Sequence, residues 1–230
     1  MEIVALLPMK ENSERIPRKN YRKLGGQPLF YYVADTLKES DIFEKLVINT
    51  DSPIIAEMAI KRYKDWVTIH ERPKELCGDF VSMYKVNEYD ISKLGKEHHY
   101  LQTHSTNPFL QVNTIKEAVN IYQSIIKSGK FDSLFSVNVF KTRFYDQKLK
   151  PINHDPTKLV RTQDLEVLYE ENSNLYLFGY NSFFSTKNRL GERPYPFPMD
   201  SDRIESLDID DPKDWDFAEN MVKGNKIYSL

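Results

Sequence analysis

The sequence predicts an α/β fold with a doubly wound, mainly parallel sheet. Three observations carry that expectation: short apolar strands alternate with helix-periodic segments, prolines stand behind polar residues where helices begin, and the first strand runs into a cationic loop. Ile3-Val4-Ala5-Leu6-Leu7, ended by Pro8, reads as a strand covered on both faces. Pro28 after Gln27, Pro53 after Ser52 and Pro212 after Asp211 each fit a helix's first position behind a polar cap. Leu29, Val33 and Leu37 recur at helical spacing, as do Ile55, Ala59 and Tyr63, with the strand Leu46-Val47-Ile48-Asn49 between them. Thr114 and Glu117 form a capping-box pattern ahead of Ile115, Ala118, Val119, Tyr122 and Ile126 on one face. Tyr100-Leu101-Gln102, Leu134-Phe135-Ser136-Val137 and Leu175-Tyr176-Leu177-Phe178 read as further strands. From Asn138 to Gln163 the chain is polar and weakly periodic, an excursion from the sheet rather than a second domain.

Composition narrows the partners. At 230 residues the chain can bury one substantial core, and a formal net charge of −2 provides no field toward nucleic acid or an anionic membrane. No apolar run is long enough to span a bilayer, and no charged-then-apolar leader opens the sequence. Cys77 is the single cysteine, which excludes an internal disulfide, and no paired base makes it a nucleophile; it reads as a small buried residue. The expected setting is a reducing cytoplasm.

The loop after the first strand gathers Lys10, Arg15, Arg18 and Lys19, with Ser13 and Asn20 as neutral hydrogen-bonders. Pro8 and Pro17 keep it from becoming helix. At the carboxyl end of a first parallel strand, such a loop suits a polyphosphate; a solvated basic loop is the plainer alternative. Near the other end, Ser206-Leu207-Asp208-Ile209-Asp210 alternates as a strand does, placing two carboxylates on one face. Carboxylates so close repel, and Mg²⁺ is their natural partner. Asp211 is read as the cap of the helix beginning at Pro212, a role Asp208 is too far upstream to share.

These residues carry a resemblance. Leu6-Leu7-Pro8, Arg15-Ile16-Pro17-Arg18-Lys19-Asn20 and Leu24-Gly25-Gly26-Gln27-Pro28-Leu29 open a series continued by Asn49-Thr50-Asp51-Ser52, Glu71-Arg72-Pro73-Lys74-Glu75-Leu76, Thr106-Asn107-Pro108, Arg161-Thr162-Gln163-Asp164, Glu171-Asn172 and Asp208-Ile209-Asp210. In this order the series resembles the acylneuraminate cytidylyltransferase family, the CMP-sialic acid synthetases and their CMP-Kdo synthetase relatives. The resemblance implies a single nucleotidyltransferase domain over residues 1–230 with a Rossmann-like sheet, and residues 139–170 as a dimerisation excursion of a homodimer. It implies that CTP and an acidic 2-keto-3-deoxy sugar react to give a CMP-sugar and pyrophosphate with Mg²⁺.

Carried over residue by residue, Lys10, Ser13, Arg15 and Lys19 surround the triphosphate and Asn20 lies near the ribose or base. Lys10, Arg15, Lys19 and Asp208 are the catalytic candidates, with Asp208 and Asp210 as metal ligands. Arg72, ahead of a Leu-x-x-Asp turn ending at Asp79, is implied to contact the pyrimidine; an ion pair with Glu71 or Glu75 is the structural alternative. His104, Thr106, Arg161, Glu171 and Asn172 complete the acceptor site in this reading, with Ser82 opening a loop over the sugar. Arg161 suits a carboxylate, whereas Glu171 and Asn172 would otherwise only begin and cap a strand.

The sequence also departs from the family pattern. Lys10 replaces an arginine, Glu11 and Asn12 replace two glycines, His104 replaces a glutamine and Leu110 an arginine. The first two changes alter how the backbone meets the phosphates, and the last two alter the acceptor pocket. Three other functions remain open at this point: another nucleotidyltransferase using a different sugar or base, a glycosyltransferase using Asp208-Ile209-Asp210 as an Asp-x-Asp metal motif, and a non-catalytic sugar-nucleotide binder.

Overall fold

The computed structural model describes residues 1–78, 80–199 and 204–224; Asp79 lies outside them. One seven-stranded sheet organises the chain. Its strands are β1 (Ile3–Leu6), β4 (Leu46–Thr50), β5 (Val67–Glu71), β6 (His99–Gln102), β7 (Ser133–Phe140), β8 (Leu168–Gly179) and β9 (Pro194–Pro198), in the order β5-β4-β1-β6-β8-β7-β9. The β5-β4-β1-β6 half is parallel, β8 is antiparallel to both its neighbours, and β9 is parallel to β7. A hairpin of β2 (Lys23–Leu24) and β3 (Gln27–Pro28) stands apart.

The alternation along β1 explains the two helical layers. Ile3, Ala5 and Leu7 pack toward α1 (Leu29–Glu39), α2 (Pro53–Tyr63) and α4 (Val112–Ser128). Val4 and Leu6 pack toward α3 (Met83–Leu94) and α5 (Tyr180–Thr186), through Ile91 and Phe183. A third cluster joins Ile16, Leu24 and Leu29 to Ile209 and to Trp215 and Ala218 of α6 (Pro212–Gly224). That cluster ties the basic loop to the segment carrying Asp208 and Asp210.

Helix starts show where local chemistry decides. Ser52 accepts the Ile55 amide and Pro53 is the first residue of α2. Asp211 accepts the amides of Lys213 and Asp214, while the Asp214 carboxylate accepts those of Asp210 and Asp211, closing both sides of α6. Pro28 differs: it pairs in the hairpin and occupies the cap position, so α1 begins one residue later. The Thr114–Glu117 pattern is not a cap either. α4 begins at Val112, and the amide of Gln111 is held instead by the Glu205 carboxylate at 2.8 Å.

β8 is three times the expected length, and its pairing with β7 shifts between Phe135 and Val137. Asn172 and Ser136 fill this bulge: the Ser136 hydroxyl donates to Asn172 at 2.6 Å and accepts the Leu175 amide at 2.8 Å. Ser173, at φ 59°, takes the left-handed conformation there. Glu171 and Asn172 therefore lie inside a strand and do not begin one. The excursion is irregular apart from a bridge between Tyr145 and Pro151 and a short turn at Thr162–Asp164. Asn153 closes it by donating to the carbonyls of Thr142 and Glu166. Among the described residues no helix is long and apolar enough to cross a membrane.

Candidate active site

The chain winds β1, β4 and β5 to one side and then crosses to β6 on the other, so a crevice opens at the carboxyl ends of β1 and β6. A pocket of about 350 Å³ occupies it, lined by the loop after β1, the loop after β6, Ser173 of the β8 bulge, Arg189, Asp208 and Asp210. Of the sequence-derived candidates, Lys10, Ser13, Arg15, Lys19, Asn20, His104, Thr106, Asp208 and Asp210 all line it.

Its basic wall is shaped by the backbone. Arg18 adopts φ 59° and a short helical turn follows, which buries Lys19 and Asn20 while Arg18 stays exposed. The Lys19 ammonium donates to the Ile209 carbonyl at 2.6 Å and lies 3.7 Å from Asp210. Burial pulls its pKa down, against the raising influence of Asp210 and Asp208. Asn20 donates to the Lys10 carbonyl at 2.6 Å and accepts from Ser105 at 2.7 Å, so it clasps its own loop to the one after β6. The amide of Glu11, at a position where the family pattern has glycine, is already taken by the Asp51 carboxylate at 2.7 Å.

Asp208 and Asp210 line the same pocket, as the alternation predicts, although Ser206 ends a turn and residues 207–210 lie outside any strand. Their environments differ. Asp210 is half exposed and Arg15 reaches it at 3.1 Å, so it is not an unpaired carboxylate. Asp208 is enclosed, and its Oδ1 is buried with no hydrogen-bond partner. Burial raises its pKa, with the Thr106 hydroxyl opposing and the Asp210 charge adding to the effect. Together the two carboxylates form a donor set that fits a cation.

The opposite wall centres on Arg189, which the sequence reading did not single out. Its guanidinium lies 3.4 Å above the Tyr176 ring, donates to Gln102 at 2.5 Å and sits 3.6 Å from Glu171. Tyr176 in turn donates to Glu171. His104 is 3.0 Å from Gln102 and 3.4 Å from Arg189; desolvation, then the charges of Arg189 and Lys19, push its pKa down to about 3. A polar residue ending the apolar run Tyr100-Leu101-Gln102 was a signal for this wall. Nothing local marked Arg189, which follows the left-handed end of α5 at Lys187.

Other candidates stand elsewhere. Glu171 and Asn172 line an adjoining pocket of about 330 Å³ that shares Ser173 and Asp208 with the first. Arg161 is exposed on the excursion and paired with Asp164 at 2.7 Å, and it lines neither pocket. Arg72 pairs with neither Glu71 nor Glu75. It is buried, donating to the Asn49 side chain at 2.6 Å and the Asn49 carbonyl at 3.0 Å, and Asn49 itself donates to Asp90 at 2.7 Å. Ser82 is the cap residue of α3, without a side-chain capping bond. Cys77 is half-buried, its thiol near the Pro73 carbonyl at 3.3 Å.

A family model described as Cytidylyltransferase matches residues 4–229. The N-acylneuraminate cytidylyltransferase of Escherichia coli O18:K1:H7 is 26% identical over 226 residues, covering 94% of this chain and 51% of that protein. The CMP-N,N'-diacetyllegionaminic acid synthase of Legionella pneumophila is 27% identical over 242 residues, covering 98% of each. The chain thus spans about half the length of the first relative and nearly all of the second. Among solved structures, a CMP:2-keto-3-deoxy-manno-octonic acid synthetase complexed with CTP superposes with a TM-score of 0.66 at 10% identity, covering 98% of this chain and 100% of that one. The 4-diphosphocytidyl-2C-methyl-D-erythritol synthase of Anaerococcus prevotii gives 0.68 at 10% identity, covering 96% of each. These structures share the fold, and the family match, which runs through both walls of the pocket, is the stronger statement: this chain is a member of the cytidylyltransferase family.

Proposed function

We propose that the chain joins CTP to an acidic 2-keto-3-deoxy sugar, giving a CMP-sugar and pyrophosphate. The observation that carries this is one pocket with Lys10, Arg15 and Lys19 on one wall, Arg189 on the other and Asp208 between them. The basic wall takes the triphosphate; its cations offset charge that develops as pyrophosphate departs. Arg189, rather than Arg161 of the same chain, takes the acceptor's carboxylate, for which a planar fork held over Tyr176 is suited. The acceptor's anomeric hydroxyl attacks the α-phosphorus, the bond to the bridging oxygen breaks, and pyrophosphate leaves with the hydroxyl proton released. Most of the rate then comes from holding the two reactants in line.

Cytidylyltransferases as a family use divalent metal ions. Here Asp208, through its unpartnered Oδ1, and Asp210 would hold Mg²⁺, which would screen the triphosphate and polarise the α-phosphate. Asp210 must loosen its pairing with Arg15 for this, and an incoming triphosphate gives Arg15 another anion to meet. The excursion exposes Tyr145, Leu149, Ile152, Leu159 and Tyr169, which supports its pairing with a second copy in a homodimer. Light scattering that returns the mass of one chain would exclude that pairing.

The deciding experiment is pyrophosphate release from CTP against a panel of eight- and nine-carbon keto-sugar acids. Release is expected with at least one of them, and lost on chelation. Asp208→Asn should lower turnover by at least ~10³-fold with the melting temperature unchanged or raised, because burial already disfavours the charged carboxylate. Consumption of a CMP-sugar without pyrophosphate release would point to a glycosyltransferase, and neither reaction to a binder. Full activity in Asp208→Asn would remove the metal assignment.

A further inference from the structure

No helix or strand ladder sets the backbone of Asp208, since residues 207–210 lie outside any strand. Two residues of the loop after β6 set it instead. The Ile209 amide donates to the Thr106 carbonyl at 2.9 Å, and Asn107 Nδ2 donates to the Leu207 carbonyl at 3.1 Å. Those groups belong to the peptide units on either side of the Asp208 α-carbon. A peptide unit is planar, so holding both of them fixes the two backbone dihedrals of Asp208. The Thr106 hydroxyl then meets the carboxylate itself.

Asn107 is a costly residue to keep there. It is fully buried, and its Oδ1 has no hydrogen-bond partner, which by itself destabilises the fold. Its Nδ2 is the end that is used. Asn174, just past the β8 bulge, makes a looser version of the same contact one peptide further out. It donates to the Ser206 carbonyl at 3.3 Å and shares that donor with the Asn172 carbonyl. Asn174 is also fully buried with an unpartnered Oδ1, so the two carboxamides differ mainly in which peptide they hold.

We infer that Asn107 is a positioning residue for metal binding, holding the Leu207–Asp208 peptide so that the Asp208 carboxylate is aimed into the pocket before a cation arrives. Mg²⁺ tolerates little departure from octahedral geometry, and a ligand must be held to within about 0.5 Å. Without the Asn107 donor the Leu207 carbonyl loses this anchor, the peptide can turn, and the carboxylate swings with it. A bond that merely fastened two loops together could fall anywhere along the segment. This one falls on the peptide that sets φ of Asp208. The inference rests on the Asp208 metal reading and adds to it the residue that aims the ligand.

Its test counts bound Mn²⁺, standing in for Mg²⁺, by electron paramagnetic resonance. The nucleotide is a CTP analogue with methylene in place of the α,β-bridging oxygen, so no turnover intervenes. The full chain is compared with Asn107→Ala, Asn174→Ala and Asp208→Asn, with melting temperatures measured alongside. Asn107→Ala should bind Mn²⁺ about tenfold more weakly, the low end for losing a group that orients a metal ligand, and Asn174→Ala about threefold or less. In turnover, excess Mg²⁺ should restore kcat in Asn107→Ala but not in Asp208→Asn. If alanine prevents folding, Asn107→Ser carries the same measurement. Wild-type Mn²⁺ affinity in the folded Asn107 variant, or equal losses in the Asn107 and Asn174 variants, overturns the inference and leaves the metal site standing. Wild-type affinity in Asp208→Asn overturns the metal reading, and this inference with it.

Discussion

The two walls of the pocket present cations in opposite ways. The basic wall comes from one continuous loop; Arg15 is largely exposed on it, and Lys19 is fixed by a single carbonyl and a nearby carboxylate. The Arg189 wall is assembled from β6, the β8 bulge and the chain after α5, and its cation is stacked, hydrogen-bonded and enclosed. A triphosphate brings many anionic oxygens and can be met by cations with room to adjust. A single carboxylate needs one fork already aimed, since ordering it on binding would cost affinity.

The largest effects should come from breaking each wall separately. Lys19→Ala should lower kcat/KM for CTP by about 10²-fold or more, and Arg189→Ala should raise the acceptor KM by about 10- to 100-fold, the range for a charge-assisted contact. Steady-state kinetics with each substrate varied in turn checks this. Two variants that impair both substrates equally would show that the walls are one site without division of labour.

A smaller effect should come from Arg72, which stands on neither wall. Arg72→Ala leaves the Asn49 side-chain oxygen without its donor beside Asp90, while the Asn49 carbonyl keeps the Met9 amide, and should cost about 1–3 kcal/mol in urea denaturation with the CTP-to-UTP preference unchanged. A changed preference with full stability would instead make Arg72 the base-reading residue that the sequence resemblance implies.

The smallest effect is a pH dependence on the Arg189 wall. The folded-state pKa of His104 is pushed down to about 3, below an unfolded value near 6.5. The unfolded chain thus binds the extra proton first, so this stability is full above pH 6.5 and falls as pH drops toward 3. Between pH 7 and pH 5 the wild type should lose about 1–2 kcal/mol more than His104→Gln, read from denaturation midpoints at both pH values. Equal losses would mean that His104 is solvated.

What the sequence made legible follows the same division. Strands buried on both faces, Pro53 and Pro212 at helix starts, and the crowded loop are local signals, and each was placed correctly. Pro28 misled because the hairpin claims it, and Thr114 because Glu205, far along the chain, supplies the missing acceptor. β9 was invisible: Pro194, Pro196 and Pro198 argue against a strand, yet on a sheet edge alternate prolines can all face away from β7, as the Met199 amide bonding to Val137 shows. Arg189 was illegible because its position depends on a β8 bulge and on the left-handed end of α5.

The placement of β8 has a consequence for synthesis. It lies between β6 and β7 but is made after both, once the excursion has emerged. The first 102 residues supply β5, β4, β1 and β6, whose parallel pairings are complete without it. Until residues 168–179 arrive, the other side of β6 is a bare edge carrying Tyr100 and Leu101, the kind of exposure on which nascent chains aggregate. A chain cut within the excursion is thus a sticky intermediate with its basic loop in place, while the strand bearing Tyr176 and the segment bearing Asp208 have yet to be made.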